Sequence, residues 1–262
     1  MDDFQTVKLI GKGTFGSVYK CLNKKNKKYY AVKKIQVLKQ SLLDNHGTLN
    51  ELHILFHNNC PFILKFFSCF FDGYEINLIT KFCSKGDLNK TIIKKCKTCD
   101  YFLEKEIWKI FIQTCYAIHY LHKNNIIHRD LKTANIFIEK DYNIKLGDFG
   151  ISKILYNTDL TSTQIGTPLY LSPELVKKKS YGLKTDMWSL GCILYELLTL
   201  RPAFDSTNIN SLYKKISNAK YLKINNRNNY NNKLIDIVKD LIVIDEKKRI
   251  SIQKLLEKDI IK

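Results

Sequence analysis

His128-Arg129-Asp130-Leu131-Lys132-Thr133-Ala134-Asn135 decides how this chain is read. A carboxylate, two cations, an imidazole and an amide fall within eight residues, directly after a run of helical spacing. Working outward, Asp148-Phe149-Gly150 begins thirteen residues after Asn135. Leu171-Ser172-Pro173-Glu174 and Asp186-Met187-Trp188-Ser189-Leu190-Gly191 follow in order. Upstream, Gly11-Lys12-Gly13-Thr14-Phe15-Gly16-Ser17-Val18 has the form GxGxxGxV, and Lys33 closes Ala31-Val32-Lys33 fifteen residues past Val18. Each word alone could arise by chance; all of them, in order and at these spacings, do not. A GxGxxG run also fits dinucleotide-binding folds, but there it opens a helix. Here Ser17-Val18-Tyr19-Lys20-Cys21 continues as a strand. A glycine-rich hairpin can bring backbone N–H groups close to phosphates, because no side chain obstructs the approach.

The 262 residues contain 43 Lys+Arg against 25 Asp+Glu, a formal +18, and 45% are hydrophobic. That length allows one large domain or two small ones, and the apolar fraction excludes a disordered basic tail. Only four basic residues are Arg (Arg129, Arg201, Arg227 and Arg249); the other 39 are Lys. Abundant Lys, Asn, Ile and Tyr with scarce Pro and Gly match A/T-rich codons, so coding bias explains the charge better than a polyanion-binding surface. Nucleic-acid readers favour Arg at specific contacts. No apolar run approaches the ~20 residues that span a bilayer. Met1-Asp2-Asp3 lacks the basic start of a signal peptide. A soluble chain, cytoplasmic and/or nuclear, is expected. The eight cysteines read as buried free thiols, and Cys96-Lys97-Thr98-Cys99 is a lone CxxC without the second pair a zinc site needs.

Residues 1–80 read mostly as strands, at Val7–Ile10, Ser17–Cys21 and Tyr29–Lys33. Leu42 to Phe56 is the one plausible helix there, weakened by Gly47. Beyond residue 86 helical spacing dominates. Ile107, Ile110, Phe111, Thr114, Ile118 and Leu121 share one helix face. Further helices are expected over Lys184–Thr199, about 232–244 and about 251–260. Strands first and helices after them make an α+β pattern with two lobes.

From Phe4 to about Ile260 the chain resembles the eukaryotic protein kinases. The local wording is most similar to the NIMA-related (NEK) serine/threonine kinases. Asn50-Glu51-Leu52, Lys85-Gly86-Asp87-Leu88, His128 to Phe137, Gly147 to Ser152 and Gly166 to Glu174 carry that likeness. The resemblance implies one bilobal kinase domain over 1–262: an N-lobe of about 1–80 with an antiparallel sheet and one main helix, a hinge of about 81–86, and a mainly helical C-lobe of about 87–262. It implies transfer of the γ-phosphoryl group of ATP, with Mg²⁺, to protein Ser/Thr hydroxyls.

Residue by residue, the resemblance assigns Gly11, Gly13 and Gly16 to covering the phosphates. Lys33 would contact the α- and β-phosphates and pair with Glu51. Asp130 would orient the substrate hydroxyl and accept its proton. Lys132 would offset charge on the γ-phosphate, and Thr167 would buttress both. Asn135 and Asp148 would hold Mg²⁺. Adenine would lie between Val18 and Ala31 on one side and Phe137 on the other, with Thr80 as gatekeeper and backbone contacts from Lys81 and Cys83. Small Thr80 implies a back pocket open to bulky inhibitors. Leu55, Phe66, His128 and Phe149 would stack as an apolar spine, and Glu174 with Arg249 would form a buried ion pair. Arg129 would clamp a phosphate on Thr163, or on Ser162 beside it, placed there by an upstream kinase or by autophosphorylation. Ser172 stands where the family usually has Ala. Ala134 stands where basophilic kinases have Glu, so no strong preference for Arg-containing substrates is expected. Protein substrates are the implied partners; a membrane or nucleic acid is not. An inactive kinase-fold scaffold and a polyanion binder are the competing classes. Intact Lys33, Asp130, Asn135 and Asp148 oppose the first.

Overall fold

The computed structural model describes residues 3–13, 16–36, 58–72, 75–147, 168–226 and 228–259. The described chain divides into two compact units, with the boundary between Ser84 and Lys85. The expected helix over Leu42–Phe56 lies outside the described residues.

The first unit is a five-stranded antiparallel sheet of β1 (Phe4–Gly13), β2 (Gly16–Asn23), β3 (Tyr29–Gln36), β4 (Phe66–Asp72) and β5 (Glu75–Lys81), in the order β1-β2-β3-β5-β4. The β2–β3 hairpin turns at Lys24–Asn26, where the Asn23 side-chain oxygen accepts from the N–H groups of Lys25 and Asn26. That local bond is why an Asn-Lys-Lys-Asn stretch makes a turn without glycine. Directly opposed residues share a face. One face therefore buries Cys21, Val32 and Ile79, with Phe4, Tyr19, Tyr30 and Phe70 packed against them. The β4 strand, the β6–β7 hairpin below and three helices have no counterpart among the elements expected from the sequence.

The second unit contains, among its described residues, α1 (Leu88–Thr98), α2 (Glu104–Lys123), a 3₁₀ turn (Thr133–Asn135), β6 (Ile136–Ile138), β7 (Ile144–Leu146), α3 (Pro173–Val176), α4 (Lys184–Thr199), α5 (Ile209–Ser217), α6 (Asn232–Leu241) and α7 (Ile252–Leu256). The face predicted for α2 is the one that packs: Ile107, Ile110, Phe111, Thr114, Ile118 and Leu121 are all buried. Glu106 stabilises its start by accepting from the N–H of Leu103. α4 is buried on every side from Thr185 to Leu198, so it sits inside the unit rather than on it. A Cβ on its Gly191 would come 2.7 Å from Leu241 Cβ, so only glycine lets α4 approach α6 this closely. α6 and α7 are shorter than expected, ending at Leu241 and Leu256. No described helix is long and apolar enough to cross a membrane.

All eight cysteines are free, but only Cys21, Cys115 and Cys192 are buried. The expectation of buried thiols therefore holds for those three alone. Burial pushes each of them up from the usual thiol range.

Candidate active site

Asp186, in the first turn of α4, organises the segment that follows α2. Its Oδ2 accepts from His122 Nε2–H at 2.9 Å and from the His128 N–H at 2.9 Å. Its Oδ1 accepts from the Arg129 N–H at 3.2 Å. Arg129 has φ 67°, a left-handed conformation that costs a non-glycine residue roughly 1–2 kcal/mol. The two backbone bonds to a buried carboxylate hold it there. The Asp130 N–H donates to His128 Nδ1 at 3.3 Å, so Nδ1 is the accepting nitrogen. The proton is then on Nε2, which donates to the Gly147 carbonyl at 3.2 Å. His128 is thus a fully buried structural strut.

Three residues singled out by sequence converge next. Lys132 Nζ lies 2.8 Å from Asp130 Oδ2. Asn135 Nδ2 donates to the Asp130 carbonyl at 2.7 Å and to the same Oδ2 at 3.1 Å. The Asp130 and Lys132 side chains are 28% and 36% exposed, so both can be reached from outside. The exit of the segment is fixed by β6–β7 pairing, by Gly147 N–H to the Asn135 carbonyl at 3.0 Å, and by Ile138 N–H to the Gly86 carbonyl at 2.9 Å. An exposed carboxylate fixed by a cation and an amide can take a proton from a hydroxyl beside an anion that the cation attracts.

In the first unit, the sheet register brings four more together. Val18 is opposite Lys33, Ala31 is opposite Thr80, and strand alternation puts all four on one face, away from the Cys21–Val32–Ile79 cluster. Thr80 Oγ1 donates to the Ala31 carbonyl at 3.4 Å. Gly13 is opposite Gly16 where β1 turns into β2. Gly16 has φ 153° and a Cβ there would meet the Lys34 carbonyl oxygen, so packing requires glycine. Gly11 differs: a Cβ would make ordinary contact with Val18, so packing leaves room that a ligand could use. The Lys81 N–H donates to the Lys65 carbonyl at 3.0 Å. Cys83 follows β5 and is half-buried. In the second unit Phe137 lies on β6 opposite Lys145.

Glu51, Asp148, Ser162, Thr163 and Thr167 lie outside the described residues, as do Leu55 and Phe149 of the expected spine. The other two spine residues, Phe66 and His128, are buried within their respective units. The expected Glu174–Arg249 pair is present and bidentate, with Arg249 Nη1 to Oε1 at 2.7 Å and Nη2 to Oε2 at 3.0 Å. The Asp186–Gly191 motif alone does not disclose the part played by Asp186. Nor does it point to Thr133, Tyr170 and Glu196: Thr133 Oγ1 is 2.8 Å from Tyr170 OH, which is 2.5 Å from Glu196 Oε2. Glu196 among the apolar residues of the second half of α4, Ile193 to Leu198, was the available signal.

A family model described as the protein kinase domain matches residues 4–261. The probable serine/threonine-protein kinase nek3 of Dictyostelium discoideum is 39% identical over 262 residues, 98% of this chain and 23% of that protein. The serine/threonine-protein kinase Nek3 of Oryza sativa subsp. japonica is 39% identical over 220 residues, 84% of this chain and 37% of that protein. The serine/threonine-protein kinase Nek5 of Homo sapiens is 35% identical over 260 residues, 98% of this chain and 36% of that protein. The chain thus spans less than two fifths of the length of these three relatives. The motif order, the carboxylate–lysine–asparagine arrangement and these matches agree, and the chain belongs to the protein kinase family.

Proposed function

We propose that the chain is an ATP-dependent, NEK-like serine/threonine protein kinase. The observation that carries this is the Asp130 carboxylate with Lys132 Nζ at 2.8 Å and Asn135 Nδ2 at 3.1 Å from one oxygen. Phosphoryl transfer asks a protein mainly for positioning and charge neutralisation. Asp130 orients the acceptor hydroxyl and takes its proton. Lys132 offsets the charge of the γ-phosphate. Thr167 buttresses both from the loop that receives the substrate.

The residues present fit ATP and Mg²⁺. With no side chain at Gly11, and only Val18 near the position a Cβ would take, a phosphate can approach the backbone there. Val18, Ala31 and Thr80 line one sheet face with Lys33, giving an apolar floor with a cation on it. Lys33 binds the α- and β-phosphates and pairs with Glu51. Gly13 and Gly16 complete the phosphate cover. Lys81 and Cys83 give the adenine its backbone contacts, and Phe137 adds an apolar one. Asn135 turns its amide nitrogen to Asp130, so its oxygen is the end left for a hard cation, joined by Asp148. When bound, Mg²⁺ neutralises phosphate charge.

Regulation follows the same chemistry. Arg129 receives a phosphate on Thr163 or Ser162, added by an upstream kinase or by the chain itself. Protein Ser/Thr residues are the substrates.

The test is transfer of radiolabelled γ-phosphate from ATP to casein or myelin basic protein. Wild type is expected to label the acceptor, and Asp130→Asn to lose at least about a hundredfold in rate. Equal labelling by the two proteins would sink the assignment of Asp130, and no labelling by wild type would sink the kinase proposal.

A further inference from the structure

The 3₁₀ turn Thr133–Asn135 carries catalytic groups on very little scaffold. It is a single turn, Ala134 offers no polar handle, and Lys132 and Asn135 direct their polar ends at Asp130. Thr133 is nevertheless 1% exposed, with its hydroxyl 2.8 Å from the Tyr170 hydroxyl. Tyr170 in turn lies 2.5 Å from Glu196 Oε2 in α4.

Proton accounting gives this chain a direction. An ionised carboxylate only accepts, so Tyr170 gives its one O–H to Glu196. The Tyr170 oxygen is left to accept, so Thr133 donates. Burial outweighs the bond from Tyr170 and leaves Glu196 raised to about 6, so it is mostly ionised at neutral pH. Tyr170 is itself tied to α4, because its carbonyl accepts from Ser189 Oγ at 2.9 Å. The same helix carries Asp186, which grips His128 and Arg129. α4 therefore holds the segment on both sides of Asp130, through Asp186 before it and through Glu196 and Tyr170 after it.

We propose that Thr133 is a positioning residue for phosphoryl transfer: through Tyr170 and Glu196 it fixes the roll of the turn that presents Lys132 and Asn135 to Asp130. It touches no substrate. Its effect falls on the catalytic step more than on nucleotide binding, because Lys33 and the glycine hairpin, which carry most of the nucleotide contacts, belong to another element. The proposal rests on the kinase function above.

Thr133→Val keeps the shape and removes the hydroxyl, whereas Thr133→Ser keeps the hydroxyl. Full chains of wild type, both variants, Tyr170→Phe and Thr133→Val/Tyr170→Phe are compared for kcat, KM for ATP and thermal melting. Thr133→Val is expected to lose roughly five- to tenfold in kcat, the size of one hydrogen bond. KM for ATP should stay within about twofold. Thr133→Ser should return kcat to near the wild-type value, and the double variant should fall no further than Tyr170→Phe alone. A merely structural threonine would lower the melting temperature and leave kcat per folded molecule untouched. Wild-type kcat in Thr133→Val, or equal losses in the Val and Ser variants, overturns the proposal and leaves the kinase function standing. A wild type that transfers no phosphate overturns both.

Discussion

Glu174 and Glu196 are buried to the same degree, 6% exposed, in neighbouring parts of the helical unit, yet their carboxyls move in opposite directions. At Glu174 burial pushes up, but the Arg249 guanidinium outweighs it and holds the carboxyl below its usual range. At Glu196 burial again pushes up, and the Tyr170 hydroxyl offsets only part of it, so the carboxyl stands at about 6. Burial alone therefore says little about a buried acid; the partner decides. A guanidinium fork gives a lock that tolerates acid. A hydroxyl gives a link whose charge is lost near pH 6.

The largest effect should come from breaking the lock. Arg249 also donates from Nε to the Val243 carbonyl at 3.0 Å and stacks over Trp188 at 5.2 Å. Arg249→Ala strands Glu174, which costs about 3–5 kcal/mol. In a chain of this size that lowers the melting temperature by about 10 °C. The loss should shrink in acid: a lowered carboxyl stabilises the fold above its unfolded pKa, and that contribution disappears as pH falls through the folded value. Calorimetry across the acid range checks both points, and an unchanged melt would remove Glu174–Arg249 from the comparison.

Glu196 should behave in the reverse sense. Its folded pKa is raised, so ionisation costs the fold most above pH about 6, and the cost fades as pH falls towards 4.5. Glu196→Gln keeps an acceptor for Tyr170 and removes the charge. It should raise stability by about 1–2 kcal/mol at pH 7.5, and by much less at pH 5. A variant less stable than wild type at both pH values would contradict the sign.

Asn77 extends the series to a group with no hydrogen-bond partner among the described residues. On β5, opposite Lys34 and Phe70, it is 0% exposed, and neither amide atom has a hydrogen-bond partner among the described residues. Asn77→Val suits a strand and removes the orphaned amide, so unfolding free energy should rise by about 1 kcal/mol in urea titration. A loss of stability would show that the amide is satisfied in solution.

Much of this was legible in the chain, for a physical reason in each case. Glycine-bounded strands and the apolar face of α2 are local periodicities, and the motif words survive at fixed spacing. Of the three helices that periodicity leaves out, α1 and α5 bury only Leu88 with Ile92 and Leu212 with Ile216, too few apolar positions to stand out among lysines, and α3 is only four residues long. The strands β6 and β7 have three residues each, less than a period test can use. In the site, Asp130, Lys132 and Asn135 share one segment and could be read together. The Thr133–Tyr170–Glu196 chain joins residues 37 and 26 positions apart, and no local pattern encodes such a contact.

The Asp186 carboxylate also sets an order of events. It binds the backbone of His128 from 58 positions further along the chain. During synthesis from the N-terminus, at ~5–20 residues per second, the ribosome completes the His128–Asn135 segment several seconds before Asp186 emerges. For that interval the nascent chain has every catalytic side chain of this segment and no anchor for them. Arg129 has no reason to enter its left-handed conformation until α4 has folded against it. Closing that loop costs entropy before any contact repays it. The Asp130–Lys132–Asn135 arrangement therefore gains its anchor late, with the buried helix.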